Sequence, residues 1–255
     1  MINYVLENSL KNILLNTVLA TSLMAASLGA SAGEAEVRAS LGGILAGQGS
    51  VSSLQKTPYG NLWEAVLSNG DIVYVDDAGN FLLSGSLIDL KNKQNVTAAR
   101  EAELSRVNIA DLPLKQAIKQ VRGNGKRTLI TFEDPNCGYC KKLAAELRDI
   151  KDTTIYVFMI PILSPDSAEK SRNIWCTKDR SATWNAWMTQ GKVPAKAECA
   201  NPIENNAEIA RKYRISGTPT MFLADGTRLG GYLPPADLDR AINEAEARAK
   251  ATARK

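Results

Sequence analysis

The chain carries a Cys-Gly-Tyr-Cys motif at residues 137–140. The motif follows a strand-like run over residues 127–133 and precedes a helix-like run over residues 141–150. Two intervening residues at a helix start hold two sulfurs close enough to form a disulfide, and the helix N-terminus stabilises a thiolate on the first sulfur. The spacing therefore predicts a redox site in which Cys137 is the nucleophile.

A second motif lies far downstream, where Gly217, Thr218 and Pro219 precede an apolar run. Together with the cysteine pair, this turn predicts a cis peptide bond before Pro219, beside Cys137. The backbone N–H and C=O of Thr218 would then be free to pair with an extended substrate chain, since proline offers no N–H of its own. The alternative is an ordinary trans turn proline, which the turn alone would favour.

The composition excludes several classes of function. The chain has 255 residues and no histidine, which removes Ser-His and Cys-His catalysis and every histidine-containing zinc site. Its net charge of +4 is spread thinly, without long runs of Lys or Arg, so nothing indicates a nucleic-acid partner.

The N-terminal segment predicts export. Residues 13–28 are largely apolar, Lys11 precedes them, and small residues lead up to Ala32. This pattern is typical of a secretory signal peptide, here residues 1–32, that is cleaved near Ala32. The alternative is an uncleaved membrane anchor. Export to an oxidising compartment favours disulfide chemistry for the four cysteines.

The region after the predicted signal peptide has the pattern of a small sheet with one helix. Residues 34–45 have helical spacing, and alternating runs at 62–67 and 72–75 flank Asn69-Gly70, a strong hairpin signal. A third strand is predicted at residues 81–83. A domain this small is marginal alone, so we expect it to pair with a second copy.

The rest of the chain predicts a second, larger domain. Residues 95–106 are polar helix formers that suit a connecting helix, and residues 114–121 have apolar helical spacing after a possible cap at Asp111. Strands and helices then alternate, which indicates an α/β fold with a helical insertion. The predicted order is strand 128–133, the cysteine helix, strand 154–160, a helical segment at 168–190, the Thr-Pro turn, strand 220–224, a turn at Asp225-Gly226, strand 227–232 and helix 235–249.

Several motifs together resemble the DsbC family of bacterial periplasmic thiol:disulfide isomerases. They are the segment 132–140 around the cysteine pair, Ile174-Trp175-Cys176 with the following Lys178-Asp179, the later Cys199, Gly217-Thr218-Pro219, and the segment 231–235. The resemblance implies an α+β and α/β chain with a signal peptide at 1–32, a small cystatin-like dimerisation domain at 33–94, a linker helix at 95–110 and a thioredoxin-like catalytic domain at 111–255. It also implies a V-shaped homodimer with an open cleft.

The resemblance further implies a periplasmic disulfide isomerase with chaperone activity. Misfolded or mis-oxidised secreted proteins would be its substrates, and a DsbD-type membrane reductase its partner, without cofactor or metal. Catalysis falls to Cys137 and Cys140, and substrate contacts to Gly138, Tyr139, Thr218 and Pro219. The alternatives are a net oxidant, a DsbG-like reductase that protects oxidised cysteines, and a non-catalytic dimeric cleft that holds unfolded chains.

For the two remaining cysteines, Cys176 and Cys199, the resemblance implies a structural disulfide. Spacing alone leaves three connectivities among four cysteines. One alternative is a zinc site formed by all four cysteines, although the separation of Cys176 and Cys199 fits no zinc knuckle. The other is a second redox-active pair, which lacks the two-residue spacing.

Charged residues flank the cysteine motif. Lys141 and Lys142 would stabilise a thiolate, and Glu133 and Asp134 would oppose one, but charged pairs usually lie at the surface, so all four are interpreted as solvated. Thr131 stands where thioredoxins keep a buried aspartate, so deprotonation of Cys140 must depend on another group or on water. Three tryptophans at near-helical spacing are predicted to belong to the core: Trp175, Trp184 and Trp187.

Overall fold

The computed structural model describes residues 32–47 and 49–252. Residues 1–31, nearly all of the predicted signal peptide, lie outside the described residues. The chain divides into two compact units between Thr97 and Ala98. In the described ranges no helix is both long and apolar enough to span a membrane.

The first unit is a helix packed on a four-stranded antiparallel sheet, in the order β1-β2-β3-β4. A two-stranded ladder, β5-β6, follows. The elements are α1 (Ala32–Ile44), β1 (Val51–Lys56), β2 (Leu62–Leu67), β3 (Ile72–Asp76), β4 (Leu82–Ser84), β5 (Ile88–Asp89) and β6 (Gln94–Asn95).

The predicted hairpin is confirmed by the antiparallel pairing of β2 with β3. In its turn, the side chain of Asn69 accepts a hydrogen bond from the backbone N–H of Asp71 at 3.0 Å, and Gly70 has a φ of 93°. Asn-Gly turns favour this geometry because glycine adopts positive φ without steric cost. The inward faces of these strands pack against Val37 and Leu41 of α1.

The second unit contains a five-stranded sheet in the order β11-β10-β8-β9-β7. Strands β8 and β9 are parallel, and the other pairs are antiparallel. Helix α2 (Val96–Leu104) lies across the division between the units. The further elements are β7 (Ile118–Val121), β8 (Arg127–Glu133), α3 (Gly138–Glu146), β9 (Thr153–Met159), α4 (Pro165–Trp175), α5 (Arg180–Gln190), α6 (Ile203–Lys212), β10 (Thr220–Leu223), β11 (Arg228–Gly230) and α7 (Pro235–Thr252).

The central strand β8 separates two apolar cores because successive side chains point to opposite faces of the sheet. Leu129 belongs to the core that also contains Cys137 and Cys140. Ile130 and Phe132 belong to the core on the other face, where Phe132 stacks on Phe158 with ring centroids 4.8 Å apart. The cysteine pair is therefore built on one defined face of the sheet.

The predicted helix at residues 114–121 is wrong. Two short 3-10 turns occupy residues 109–116, and residues 118–121 form the edge strand β7, which pairs antiparallel with β9. The burial of Ile118 and Gln120 alternates with the exposure of Lys119 and Val121, which is the period of a strand. Pairing with β9 outweighs the local helical spacing, which is a weak signal over eight residues.

Helix α6 was missed by the sequence prediction. Asn201 accepts a hydrogen bond from the N–H of Ile203 at its start, and the buried residues Ile203, Asn206 and Ala210 share one face. Its other residues are mostly polar, so the narrow buried stripe did not stand out as a helical pattern in the sequence. By contrast, the predicted turn at Gly226 is present, with its N–H donating to the carbonyl of Leu223 at 2.9 Å.

A disulfide joins Cys176 to Cys199, with a Cα–Cα distance of 5.6 Å and a sequence separation of 23 residues. Cys176 follows the last turn of α4, and Cys199 lies in the segment that leads to α6. The bond therefore ties the end of one helix to a stretch without regular secondary structure. Because both sulfurs take part in this bond, Cys176 and Cys199 are not available as ligands for the alternative zinc site of four cysteines.

We expect removal of this disulfide to lower stability without abolishing thiol exchange. A loop of this length predicts a loss of about 3 kcal/mol in unfolding free energy for Cys176→Ala/Cys199→Ala, because the unfolded chain regains freedom. Urea unfolding measures the loss, and the reactivity of Cys137 toward a small disulfide is the control. Unchanged stability would contradict a structural role, and lost exchange with intact folding would support a second redox pair.

Candidate active site

Cys137 is the N-cap residue of α3. Its sulfur accepts a hydrogen bond from the backbone N–H of Cys140 at 3.3 Å, as an N-cap side chain does. The first N–H groups of a helix have no partner within the helix and carry partial positive charge. The helix therefore places its positive end directly at the sulfur of Cys137, where it stabilises a thiolate.

The two cysteines, both free thiols, differ in their surroundings. Cys137 keeps 6% of its surface exposed, whereas Cys140 is fully buried one helical turn inside. Burial raises the pKa of the Cys140 thiol, and the nearby Glu133 carboxylate and the Cys137 sulfur raise it further. At neutral pH, Cys140 therefore holds its proton.

The downstream Thr-Pro motif lies against Cys137. Thr220 pairs with Phe132 across β10 and β8, which brings the loop before β10 to the end of β8. The Thr218–Pro219 peptide bond is cis, and the thiol of Cys137 donates to the carbonyl oxygen of Thr218 at 3.3 Å. In the structure this carbonyl accepts the hydrogen bond of the Cys137 thiol, and its pairing with a substrate chain stays a prediction.

The carboxylate of Asp134 is fully buried and accepts four hydrogen bonds. Two are made to Oδ1, from the N–H of Asn136 at 2.7 Å and from the hydroxyl of Ser167 in α4 at 2.7 Å. The other two come from the backbone N–H groups of Ile162 and Leu163, both at 2.9 Å. Asp134 thus ties the segment before the cysteines to the loop between β9 and α4.

Two further side chains hold the segment before Cys137. The side-chain amide of Asn136 donates to the carboxylate of Asp166 at 2.7 Å and to the hydroxyl of Ser167 at 3.1 Å. The indole N–H of Trp187 donates to the carbonyl of Pro135 at 2.6 Å. The approach to the cysteines is therefore fixed from both α4 and α5.

Glu133 is also buried, but it has a different environment. Thr131 donates its hydroxyl to Oε1 of Glu133 at 2.7 Å, and among the described residues Oε2 has no hydrogen-bond partner. Burial raises the pKa of Glu133 to about 7, while the hydrogen bond from Thr131 opposes the increase. Near neutral pH this carboxyl group is therefore only partly ionised.

The prediction that Glu133 and Asp134 are solvated is wrong, because both are at least 99% buried. A signal for Glu133 was present in the sequence. Leu129 and Thr131 precede it at strand spacing, which places all three on one face of β8. No local signal identified the other partners of Asp134 besides Asn136, since they lie 28 to 33 residues downstream.

The rim of the site is aromatic and basic. Tyr139 is 65% exposed, and its ring lies 6.4 Å from that of Tyr232. Lys142 lies over the ring of Tyr232 at 4.1 Å, and Lys141 lies over Trp187 at 4.5 Å. Lys142 is exposed, as predicted, whereas Lys141 is partly buried. The predicted core positions of the three tryptophans are confirmed, because each is at most 9% exposed: Trp175, Trp184 and Trp187.

Comparison with known proteins covers both units. Residues 114–246 match the model of a thioredoxin-like domain, and residues 29–98 match that of the disulfide bond isomerase protein N-terminal domain. A relative from Bordetella avium, "Probable thiol:disulfide interchange protein DsbC", is 46% identical over 188 residues, which are 74% of this chain and 67% of the relative. The Escherichia coli "Thiol:disulfide interchange protein DsbC" is 28% identical over 197 residues, 76% of this chain and 81% of that protein.

A solved structure supports the family assignment. The crystal structure of a disulfide interchange protein from Neisseria gonorrhoeae matches with 39% sequence identity and a TM-score of 0.51. The match covers 52% of this chain and 98% of that chain. The predicted family and the predicted fold class, a thioredoxin-like C-terminal domain with a separate N-terminal domain, are confirmed.

We expect Glu133→Gln to stabilise the protein in a pH-dependent way. Glutamine has the shape of a protonated glutamate, which folding favours because the pKa in the folded protein, about 7, exceeds the ordinary glutamate pKa of 4.5. The stability from this group is fully present below about pH 4.5 and is lost as pH rises to about 7. The variant should therefore gain about 3 kcal/mol relative to wild type between pH 4.5 and 8.

Anaerobic urea unfolding at several pH values checks this expectation. Glu146→Gln is the matched control, because Glu146 is only partly buried and accepts a hydrogen bond from Tyr232. A stability difference between Glu133→Gln and wild type that does not change with pH would contradict a raised pKa at Glu133.

We expect Asp134→Asn to be strongly destabilising. The amide retains a single acceptor oxygen, so it leaves buried backbone N–H groups unsatisfied, at a cost of about 2 to 4 kcal/mol. Asp166→Asn is the matched control: this carboxylate also contacts Asn136, but it is exposed, and we expect a much smaller loss. Thermal or urea unfolding compares the two, and equal losses would show that burial of the Asp134 network is unimportant.

Proposed function

Because this chain belongs to the DsbC family of thiol:disulfide interchange proteins, we propose that it acts as a protein disulfide isomerase with Cys137 as its nucleophile. The observation that carries the proposal is the asymmetry of the cysteine pair. Cys137 lies at the helix N-terminus beside exposed residues, whereas Cys140 is buried and protonated. In such a pair Cys137 is placed to attack, and Cys140 must lose its proton before it can resolve the mixed disulfide.

The proposed reaction starts from the thiolate of Cys137, which attacks one sulfur of a wrong substrate disulfide. A bond forms between Cys137 and that sulfur, and the other substrate sulfur leaves as a thiolate. A second substrate thiolate then attacks the mixed disulfide, forms the new substrate disulfide and releases Cys137 as a thiolate. No net oxidation or reduction occurs, so the enzyme returns to its starting state.

Cys140 provides a second exit from the mixed disulfide. Its attack on Cys137 releases reduced substrate and leaves the enzyme oxidised, which would be the route of a DsbG-like reductase or protector. Burial of Cys140 raises its pKa and so keeps the concentration of its thiolate low. The substrate's own thiols therefore have time to react first, which supports the isomerase over the reductase.

We propose that Gly138, Tyr139, Thr218 and Pro219 line the substrate site. Gly138 and Tyr139 are exposed at the start of α3, and Thr218 is in contact with Cys137. The loop held by Asp134 adds Leu163, an apolar side chain that is 56% exposed. Exposed apolar surface of this kind binds unfolded chains, which supports chaperone activity.

We propose a homodimer formed by the N-terminal domain at residues 33–94, with a linker helix at 95–110 and the catalytic domain at 111–255. The edge strand β4 supports this, because a sheet edge offers unpaired backbone groups to another chain. The adjacent Phe81 is 74% exposed, and Leu82 and Leu83 are also exposed. The proposed setting is the periplasm, with misfolded or mis-oxidised secreted proteins as substrates and a DsbD-type membrane reductase that keeps the cysteines reduced.

The test is the recovery of activity from a scrambled, multi-disulfide ribonuclease with the reduced protein. We expect wild type to restore activity and Cys137→Ser to restore none. Cys140→Ser should retain a substantial part of the activity, because shuffling needs only Cys137, and it should accumulate mixed disulfides. Cys176→Ala/Cys199→Ala is the control for the other cysteine pair.

Two outcomes would contradict the isomerase. Complete loss of activity in Cys140→Ser would indicate cycles of reduction and reoxidation, and so a reductase. Absence of rescue by wild type, together with suppressed aggregation of a cysteine-free unfolded protein, would indicate a non-catalytic chaperone. Analytical ultracentrifugation of the same samples measures the proposed homodimer directly.

A further inference from the structure

Glu133 is a buried acid with no role in the reaction described above. It is the last residue of β8, and its side chain lies on the same face as Leu129 and Thr131. That face carries the core that contains Cys140. The carboxyl group of Glu133 therefore lies on the face of the sheet that packs against α3, the helix that carries the Cys140 thiol.

The environment of this carboxyl group leaves one oxygen available. Thr131 occupies Oε1, and Oε2 has no hydrogen-bond partner among the described residues although it is buried. An unsatisfied polar atom at such a depth costs free energy, and such atoms often have a functional role. The carboxylate is near enough to Cys140 for its charge to raise the pKa of that thiol.

The other groups that face Glu133 do not compete for its proton. Met159 is its partner on β9, and Val157 of β9 and Met221 of β10 flank Thr131, so both neighbouring strands present apolar side chains on this face. The Asp134 carboxylate is engaged with four donors. Cys140 is the titratable group of this core whose pKa the Glu133 carboxylate raises.

We propose that Glu133 accepts the proton of Cys140 when that thiol attacks the mixed disulfide at Cys137, either directly or through one water molecule. In this step the bond between Cys140 and Cys137 forms, and the bond between Cys137 and the substrate sulfur breaks. The substrate sulfur leaves as a thiolate, and the proton of Cys140 passes to the carboxylate. The inference rests on the proposed function, because it concerns the resolving step of that reaction.

The pKa of Glu133 suits a group that accepts the proton of Cys140 at neutral pH. The pKa of Glu133, raised to about 7 by burial, gives a carboxylate that is a far stronger base than an exposed glutamate yet is still available at neutral pH. Below about pH 6 the group is already protonated and cannot accept a second proton. The resolving step should therefore accelerate as pH rises through about 7.

The experiment uses the aromatic disulfide dithiobis(nitrobenzoate), which releases one coloured thiolate at each of two steps. The first release reports the attack by Cys137, and the second reports resolution by Cys140. Stopped-flow traces of the reduced full-length protein between about pH 5.5 and 8.5 give both rates. We expect the second rate of wild type to have a midpoint near pH 7.

Glu133→Gln should slow the second release by about 10- to 100-fold at pH 8, within the range of general acid–base effects, and remove the midpoint near pH 7. The first release should change by less than about twofold. Glu146→Gln, a partly buried carboxylate at the other end of α3, should leave both rates unchanged. A purely structural role for Glu133 would not remove one pH midpoint while sparing the first step.

A second variant tests the same proposal with a smaller change. Thr131→Val keeps the shape of the side chain but removes the hydrogen bond that opposes the raised pKa of Glu133. We therefore expect the midpoint of the second release to move to higher pH. A wild-type pH profile in Glu133→Gln, or an unmoved midpoint in Thr131→Val, would overturn the proposal. Failure of the first release in wild type would instead overturn the proposed function.

Discussion

The Asp134 carboxylate fixes the cysteine pair because it accepts hydrogen bonds from two segments that are distant in sequence. Asn136 and Ser167 bind one oxygen, and the backbone of the loop between β9 and α4 binds the other. A buried carboxylate is tolerated only when it is well supplied with donors, so these segments must adopt their positions together. The position of Cys137 at the start of α3 is set by this requirement.

Two neighbouring acids thus have opposite roles. Asp134 has four donors and holds two segments together, whereas Glu133 has one donor and a pKa that burial raises to about 7. The difference comes from strand geometry, since consecutive residues at the end of β8 point in different directions. One side chain reaches the loop donors, and the other reaches the apolar core around Cys140.

The sequence predicted those parts of the fold and site that depend on local signals. The cysteine spacing before a helix, the Asn-Gly hairpin and the Gly-Thr-Pro turn are short patterns, and the structure places Thr218 against Cys137. Parts that depend on long-range pairing were missed. β7 is a strand because β9 lies beside it, and Asp134 is buried because its donors arrive from downstream, neither of which a local pattern records.

The hydrogen bond from Cys137 to the carbonyl of Thr218 depends on the proton of the thiol. A thiol donates to that oxygen, but a thiolate or a disulfide sulfur has no hydrogen with which to do so. In the proposed reaction, deprotonation of Cys137 leaves the carbonyl of Thr218 without this donor, and so does the mixed disulfide with a client polypeptide. A backbone N–H of the client would then meet an open acceptor beside its covalent bond to Cys137. Once the released thiolate takes up a proton, the thiol binds the same oxygen again.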